Sequence, residues 1–206
     1  MQGKLIVFDG GEGAGKGTQI ARAKEYFGDR AIVTREPGGS PNAEKIREFL
    51  FSEDGKKLPL GAQFNLMWAA RADHIAVTIV PALKAGKIVL CDRFASSTWA
   101  YQVCAEEGGR RLAELFWDQY DTILDAVVPD LYIHFFIDPV KGLARKGKQP
   151  AGELNYFDGK PLAYHQKVHE GFKEFMSHAD HERLNADQSP DAVWHDLSLI
   201  LKDVVE

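Results

Sequence analysis

Short apolar runs alternate with longer amphipathic stretches along this chain. The runs KLIVFDG, RAIVTREP, KIVLCDRF and PDLYIHFFIDP predict four buried strands, and ERLNA predicts a weaker fifth strand. Between them, apolar residues at helical spacing predict helices, in particular in GKGTQIARAKEYFG, NAEKIREFLF and RRLAELFWDQYDTIL. Two further helices are predicted, one from about Tyr164 to His178 and one that begins at Pro190. Short buried strands joined by helices need right-handed crossovers, so the pattern predicts an α/β fold around a parallel sheet of about five strands.

Two segments depart from this alternation. The stretch GAQFNLMWAARADHIAVTIVPALKAG predicts one long helix with a kink near Pro81, because proline removes a helical hydrogen bond. The stretch ARKGKQPAGELNYFDGKP is basic, rich in Gly and Pro, and without apolar periodicity. It predicts a mobile loop or lid over about residues 142–162, in the kind of segment where function often resides. Residues 1–206 are otherwise expected to form a single domain.

Composition and charge restrict the class of protein. The chain has 206 residues and a formal net charge of −5, which argues against a broad basic face for nucleic acid. No apolar run approaches the roughly 18 residues that a membrane span needs, so we expect no membrane partner. The two cysteines, Cys91 and Cys104, lack metal-ligand spacing, and Cys91 lies in an apolar run as a buried thiol would. With no signal peptide after Met1, we expect a cytoplasmic protein.

The glycine-rich stretch GGEGAGKGTQ, residues 10–19, follows the first predicted strand and precedes the first predicted helix. This order is the context that a phosphate-binding loop requires. Glycines let backbone N–H groups turn toward an anion, and the helix from Lys16 adds the positive end of its dipole. Lys16 supplies a point charge for the outer phosphates of ATP. The predicted ATP-binding residues are Gly10, Gly11, Gly13, Ala14, Gly15, Lys16, Gly17 and Thr18.

Gly17 breaks the usual motif, which has Ser or Thr directly after the lysine to help hold Mg²⁺. Two arrangements are open: Thr18 replaces that hydroxyl, or phosphates and waters hold most of the metal. Asp92 closes an apolar strand, so it is a second candidate for orienting Mg²⁺, through water. The string GAGKGTQ resembles the phosphate loop of adenylate kinases, in which Gly also follows Lys.

Two arginines follow predicted strands. Arg35 lies in TREPGGS at the end of the second strand, and Arg93 lies in DRFASSTWAYQ at the end of the third. The carboxyl ends of parallel strands meet beside the phosphate loop, so both side chains are expected in one cleft. Two guanidiniums there are suited to gripping a second phosphate, that of the acceptor.

Together, FDGGEGAGKGTQ, TREPGGSPNAEKIR and DRFASSTWAYQ resemble the thymidylate kinase family, at recognisable spacing from Lys4 to about Val140. The resemblance implies a P-loop nucleoside monophosphate kinase fold with strand order 2-3-1-4-5. It implies the reaction ATP + dTMP → ADP + dTDP with magnesium, as a step of dTTP synthesis. It also implies a homodimer packed through helices.

The resemblance assigns roles to acceptor-side residues. Arg35 and Arg93 would bind the acceptor phosphate, and Glu12 would contact the sugar 3′-hydroxyl. Arg71 would meet the edge of the thymine ring. The other residues implied at the base and the deoxyribose are Ser97, Thr98 and Tyr101. The family usually has a Phe that stacks on the base four residues before the arginine, whereas this chain has Met67 there, followed by Trp68. Met67 is therefore predicted to bind the substrate, since Met can lie against a ring, although less rigidly than Phe. Stacking by Trp68 or Phe64 is the alternative.

The family divides according to the position of a catalytic cation. Members with the loop EGAGK, as here, carry it in the lid. The lid of this chain offers Arg145, Lys146 and Lys148, of which Arg145 is the preferred candidate. One such arginine can change the rate of phosphoryl transfer by orders of magnitude. The predicted catalytic residues are Glu12, Lys16, Arg93 and Arg145.

Other functions remain open at this point. A related kinase could act on dUMP, dGMP or AMP, although TREPGG and DRFASSTWAYQ argue against AMP. A non-catalytic nucleotide-binding protein is the alternative from another class. A GTPase switch would need the hydroxyl that Gly17 displaces and an Asn-Lys-x-Asp motif, which the chain lacks.

Overall fold

Five short strands form one parallel sheet in the computed structural model, which describes residues 3–148 and 156–205. The strands are β1 (Lys4–Gly10), β2 (Ala31–Arg35), β3 (Ile88–Asp92), β4 (Leu131–Phe136) and β5 (His181–Asn185). Their order across the sheet is β2-β3-β1-β4-β5, and all four pairings are parallel. The predicted sheet and strand order are confirmed.

Nine α-helices join and flank these strands in the described residues. They are α1 (Lys16–Phe27), α2 (Pro41–Phe51), α3 (Leu60–His74), α4 (Val80–Lys84), α5 (Ala95–Thr98), α6 (Gly109–Leu124), α7 (Pro139–Lys146), α8 (Leu162–Met176) and α9 (Pro190–Val205). Alternate residues of β1 face opposite sides of the sheet, as the period of a strand requires. Leu5 and Val7 join the larger core with its many aromatic rings, whereas Ile6 and Phe8 join the core under α1 and α9.

The register brings the predicted motifs together at one edge of the sheet. Arg35 pairs with Asp92 across β2 and β3, and Phe8 pairs with Asp92 across β1 and β3. Gly10 is the last residue of β1 and lies beside Phe135 of β4. The phosphate loop and both strand-end motifs therefore start from neighbouring points.

The long helix predicted before β3 is not regular throughout. The α-helical hydrogen bonding of α3 ends at His74, the wider π-helical segment Ile75–Ile79 follows, and α4 begins at Val80. Pro81 has no backbone N–H to donate, and the irregular turn lies directly before it. The kink predicted near Pro81 is thus realised as a π-helical segment one turn earlier.

The predicted lid begins as a helix, so the expectation of a loop from residue 142 is wrong for its first part. Asp138 caps α7 by accepting hydrogen bonds from the backbone nitrogens of Val140 (2.9 Å) and Lys141 (3.3 Å), and Pro139 occupies the first turn. The segment Tyr156–Gly159 forms a 3₁₀ turn before α8. Residues 149–155 of the predicted lid lie outside the described residues.

Both cysteines are free thiols, and Cys91 is buried as expected. In the part of the chain that the structure covers, none of the helices is long and apolar enough to cross a membrane.

Candidate functional site

The phosphate loop joins β1 to α1 through three glycines with positive φ: Gly10 (143°), Gly13 (71°) and Gly15 (77°). Gly13 cannot be replaced without strain, because a Cβ there would collide with the backbone of Gly142 in α7. The first helix of the lid therefore packs its own glycine directly against the phosphate loop. On the other side of the loop, added Cβ atoms at Gly11, Gly15 and Gly17 would meet no atom within 4 Å. That side is open to a ligand.

Lys16 folds back over the loop from the first turn of α1. Its Nζ donates to the carbonyl oxygens of Gly10 (2.9 Å) and Gly11 (3.2 Å). Burial lowers the pKa of Lys16, and the nearby Arg93 lowers it further. An anion in the loop would oppose both effects, which is the electrostatic environment expected of a phosphate-binding lysine. Thr18, two residues further along α1, is exposed.

A cavity of about 150 Å³ lies beside the phosphate loop, and we call it the acceptor cavity. Every acceptor-side residue predicted from the sequence lines it: Glu12, Arg35, Met67, Arg71, Asp92, Arg93, Ser97, Thr98 and Tyr101. Sequence reasoning missed further lining residues, among them Glu36, Arg47, Phe51, Phe94, Gln102 and Phe157. Glu36 and Gln102 are part of motifs that were recognised, TREPGG and AYQ, but neither received a role.

Glu12 connects the phosphate loop to the motif DRFASSTWAYQ at the end of β3. Its Oε1 accepts hydrogen bonds from Arg93 Nη2 at 3.0 Å and from the hydroxyl of Tyr101 at 2.8 Å. Burial raises the pKa of Tyr101, so the phenol stays protonated and remains a donor. The guanidinium of Arg93 lies over the Tyr101 ring, 5.1 Å from its centre. These three side chains form a rigid wall at the phosphate end of the acceptor cavity.

Asp9, to which the sequence motifs assigned no role, stabilises the position of Arg93 through the serines that follow it. It is fully buried in β1 and accepts hydrogen bonds from the hydroxyls of Ser96 (2.5 Å) and Ser97 (2.8 Å). Ser97 in turn accepts from Arg93 Nη1 at 3.0 Å. Burial raises the pKa of Asp9, and Arg93 opposes that rise. A role for Asp9 is hard to infer from the sequence, because the residue lies within an apolar strand, next to the glycine that ends the strand.

Arg35 and Arg93 both reach the acceptor cavity, as predicted, but they are held very differently. The side chain of Arg93 is 19% exposed, and it also donates to the carbonyl oxygen of Gly10 at 3.3 Å. The side chain of Arg35 is 55% exposed and pairs with Glu44 at 3.1 Å. Arg47, a third guanidinium at this end, donates to the carbonyl oxygen of Pro37 at 2.7 Å.

Arg71 also lines the acceptor cavity and is 3% exposed. Its Nε donates to Glu36 Oε2 at 2.7 Å, and its Nη2 donates to Thr98 Oγ1 at 3.0 Å. Its Nη1 is buried and has no hydrogen-bond partner among the described residues. The same is true of the side-chain oxygen of Gln102. A buried polar atom without a partner is costly, so both atoms are suited to contact a ligand.

The alternative that Trp68 or Phe64 stacks on the base is not supported, because neither side chain lines the acceptor cavity. Both are buried in the larger core, where the Trp68 ring packs 5.4 Å from that of Phe116. Met67 itself lines the acceptor cavity. Trp68 instead supports Arg71, whose guanidinium carbon lies 4.5 Å from the centre of the indole ring. Adjacent residues of a helix face different directions, and here it is Met67 that faces the cavity.

Arg145 does not line the acceptor cavity. Its Nη1 donates to the carbonyl oxygen of Ala186 at 2.6 Å, and its Nη2 lies 3.3 Å from Asp187 Oδ1. Lys141 of the same helix also pairs with Asp187. The helix that begins the lid is thus tied to the loop before α9. A direct action of Arg145 on the transferred phosphate remains a prediction.

Asp92 occupies the position predicted for a carboxylate near magnesium. Its Oδ1 is buried and accepts no hydrogen bond from any residue described. It lies at the end of β3, between the ends of β1 and β2. An acceptor atom left without a donor at this place fits a water molecule bound to a metal ion.

A sequence model of the thymidylate kinase family matches residues 8–196. The chain belongs to the thymidylate kinase family. The family member of Magnetococcus marinus is 41% identical over 196 residues, which are 91% of this chain and 90% of that relative. The thymidylate kinase of Caulobacter vibrioides is 41% identical over 198 residues, 93% of this chain and 92% of that relative.

The fold agrees with this family. A crystal structure of the thymidylate kinase from Ehrlichia chaffeensis matches with a TM-score of 0.77 and 25% identity, over 98% of this chain and 99% of that one. The predicted P-loop nucleoside monophosphate kinase fold is therefore confirmed, and so is the prediction of a nucleotide-binding kinase.

Proposed function

We propose that this member of the thymidylate kinase family transfers the γ-phosphate of ATP to dTMP, and so supplies dTDP for dTTP synthesis. The observation that carries the choice of acceptor is the pair of unpartnered atoms at the base end of the acceptor cavity, Arg71 Nη1 and Gln102 Oε1. Thymine presents a carbonyl oxygen, O4, next to a ring N–H at position 3. A guanidinium N–H can donate to the first, and an amide oxygen can accept from the second.

The same pair disfavours cytosine and adenine. Cytosine and adenine carry an exocyclic amine where thymine carries O4, so the N–H of Arg71 would face another donor. A site built to hydrogen-bond one group rejects an analogue that leaves its buried atoms unpaired. Uracil has the same edge as thymine, and guanine also presents a carbonyl oxygen, O6, next to a ring N–H. The pair therefore does not reject dUMP or dGMP, which are the competitors that the assay must test. Met67, in the position where the family has Phe, gives the base a softer wall.

Roles at the other end follow from charge and position. Arg35 and Arg93 would bind the acceptor phosphate, since two guanidiniums can grip one phosphate with several hydrogen bonds. Glu12 faces the same cavity and would accept a hydrogen bond from the sugar 3′-hydroxyl. Tyr101 would pack on the deoxyribose and leave little room for a 2′-hydroxyl, while Ser97 and Thr98 complete the wall.

The donor nucleotide would occupy the phosphate loop, where backbone N–H groups, the start of α1 and Lys16 are directed toward its phosphates. The acceptor phosphate is already an anion, so no strong general base is needed. Positioning and charge neutralisation by Lys16, Arg93 and Glu12 would account for most of the rate. Arg145 would add a cation to the transferred phosphate once its contacts with residues 186 and 187 are exchanged for ATP.

Magnesium would be held mainly by the nucleotide phosphates and water, with Thr18 and Asp92 contributing from the protein. The unpartnered Oδ1 of Asp92 and the exposed hydroxyl of Thr18 fit this arrangement. Among the described residues no group of three His, Cys, Asp or Glu could bind a metal ion together, so most ligands would have to come from ATP and water. The ion would neutralise phosphate charge.

We also propose an oligomeric state and a cellular location for the protein. The family resemblance supports a homodimer packed through helices, with no nucleic acid partner. Multi-angle light scattering of the purified chain would give a mass near 46 kDa for a dimer of this 23.0 kDa chain, or 23.0 kDa for a monomer. A cytoplasmic location suits an enzyme that consumes ATP and carries two free thiols.

A coupled assay of ADP release with saturating Mg-ATP tests the proposed reaction. The acceptors are dTMP, dUMP, dCMP, dGMP and AMP at matched concentrations, with an acceptor-free reaction as the control. We expect the highest kcat/KM with dTMP and little turnover of dCMP or AMP. Strong turnover of AMP without turnover of dTMP would assign the chain to another acceptor. Tight binding of nucleotides with no ADP release from any of them would indicate a non-catalytic binding protein.

A further inference from the structure

A buried chain of polar contacts extends from Arg71, through the cavity-lining Glu36, into the interior of the protein. It runs from Arg71 through Glu36 to His74 and ends at Thr34. Glu36 is 5% exposed and His74 is 0% exposed, so the contacts are screened little by water. None of the residues predicted from the sequence to bind substrate belongs to this chain except Arg71.

Both oxygens of the Glu36 carboxylate are occupied. Oε2 accepts from Arg71 Nε at 2.7 Å, and Oε1 lies 3.0 Å from His74 Nδ1. An ionised carboxylate only accepts hydrogen bonds, so Nδ1 of His74 carries a proton and donates it. The imidazole thus fixes the rotation of Glu36, and Glu36 in turn fixes the plane of the Arg71 guanidinium.

The far side of the imidazole is fixed as well. His74 Nε2 lies 2.6 Å from the hydroxyl of Thr34, the residue that precedes Arg35 in β2. In the neutral ring, Nε2 accepts a hydrogen bond from that hydroxyl. One hydroxyl from β2 therefore anchors a histidine of α3.

Gly39 provides the room that this histidine needs. It has φ of +83°, and a Cβ at this position would lie closer than 3.0 Å to both His74 and the hydroxyl of Thr34. The second glycine of TREPGG is therefore required by the packing of a ring 35 positions later in the chain. The motif and the histidine form one structural unit.

This unit determines which donor Arg71 presents to the cavity. Nε and Nη2 are used by Glu36 and Thr98, and the flat guanidinium lies between the rings of Trp68 and Phe94, at 4.5 and 5.5 Å from their centres. Nη1 is left without a partner among the described residues and is therefore the donor that remains available to a ligand in the cavity. Because Glu36 neutralises the charge of Arg71, that N–H acts as a directional donor and not as an unpaired cation that would attract phosphate.

From these contacts we infer that His74 is a positioning residue for recognition of the acceptor base. It never touches the nucleotide. His74 acts through Glu36 to hold Arg71 Nη1 in position. In that position Nη1 donates a hydrogen bond to a base carbonyl, whereas a base amine would place a second donor against it. This inference rests on the proposed function, because it assumes an acceptor with a carbonyl at that edge.

Two substitutions of His74 separate positioning from packing. His74→Asn keeps a donor near the position of Nδ1 and retains the contact with Glu36, although it removes more volume. His74→Gln fills more of the space and can reach Thr34 in place of Nε2, but it loses the donor to Glu36. A role in packing alone predicts that the larger Gln is tolerated better, whereas positioning predicts the reverse order.

The readout is the ratio of kcat/KM for dTMP to kcat/KM for dCMP, measured with thermal unfolding of each variant. For His74→Gln we expect this ratio to fall about tenfold or more, as the loss of a charge-assisted hydrogen bond implies. The loss should appear in KM for dTMP, with kcat and KM for ATP little changed. For His74→Asn we expect a ratio within about twofold of the wild type, even though its Tm falls. Thr34→Val removes the anchor of Nε2 and leaves the contact between His74 and Glu36, so it should lower the ratio less than His74→Gln does.

Equal losses of selectivity in the Asn and Gln variants, or losses that follow Tm, would overturn the inference. A wild type that does not phosphorylate dTMP would instead overturn the proposed function, so the two failures are distinct. If neither His74 variant folds, ¹⁵N NMR of the wild type decides the matter. The Nδ1 proton of His74 should shift when dTMP binds and shift less with dCMP at equal occupancy, and an unchanged resonance with bound dTMP would refute positioning.

Discussion

The substitution Gly142→Ala tests whether the first helix of the lid and the phosphate loop move as one unit. An added Cβ at this position would lie closer than 3.0 Å to the carbonyl oxygen of Glu12, whereas ordinary contact begins at 3.4 Å. The carbonyl carbon of Glu12 lies 3.6 Å away, so there is no flexible side chain that could move aside. One of the two backbones must therefore shift by roughly half an ångström or more.

The expected effect is larger on catalysis than on stability. Overpacking of this kind costs about 1–3 kcal/mol. For a protein of this size each kcal/mol lowers Tm by about 2–4 °C. A misplacement of about 1 Å at a site of positioning costs about a hundredfold in rate. We therefore expect kcat to fall about 10- to 100-fold, because Glu12 and the adjacent N–H groups are displaced together.

The assay is ADP release at saturating ATP and dTMP, with thermal unfolding measured in parallel. Gly147→Ala is the matched control: it lies just beyond the same helix, and its added Cβ would be 3.4 Å from the carbonyl oxygen of Leu143, an ordinary contact. We expect near wild-type kcat for that control. Wild-type kcat in Gly142→Ala with a lowered Tm would show that α7 moves away without disturbing the loop, and the reasoning would fail.

Three further outcomes are expected. Met67→Phe should tighten dTMP binding, measured by titration calorimetry, because a rigid ring replaces a flexible wall; an unchanged or weaker Kd would contradict the assigned pocket. Arg145→Ala should lower kcat strongly with little change in KM for ATP or dTMP. Lys141→Ala is the control, because it removes another partner of Asp187 and should leave kcat unchanged. An unaltered kcat in Arg145→Ala would remove Arg145 from the mechanism. Burial lowers the pKa of His134 from 6.5 to about 3. Between these two pH values the unfolded chain binds a proton that the folded protein does not, so the free energy of unfolding falls as the pH drops below about 6.5. Urea unfolding should show a loss of about 1.4 kcal/mol per pH unit from this group, and His134→Phe should remove that part of the slope.

The sheet could be predicted because every strand carries its own local signal. The apolar runs that became β1, β3 and β4 have almost no exposed residue, as strands covered on both faces should. The order of the strands followed from the family resemblance and not from the pattern. The π-helical turn at Ile75–Ile79 could not be placed from sequence, because the missing N–H of Pro81 can be accommodated in more than one preceding turn.

The acceptor side of the site was predictable for a related reason. Arg35 and Asp92 stand at the ends of paired strands, so topology alone brings them to one edge. Topology does not determine which way a helical side chain turns, so the sequence left Trp68 open as an alternative to Met67, although Trp68 belongs to the core. Topology also does not reveal buried residues that support the site indirectly. Asp9 is an example, since its hydrogen bonds join it to two serines that lie 87 and 88 positions away in the chain.

If Arg35 and Arg93 bind the acceptor phosphate as proposed, the two side chains would contribute differently to the entropy of binding. Arg93 is at φ 70°, an uncommon backbone conformation for a side chain of its size, and its guanidinium is tied to Glu12, Ser97 and Gly10. Arg35 is more than half exposed and still has rotamers to lose. Ordering a long side chain costs up to about 2 kcal/mol in entropy, and that penalty falls on Arg35. Tightening the ion pair of Arg35 with Glu44 would therefore change the entropy of dTMP binding, while Arg93 already stands in its binding geometry.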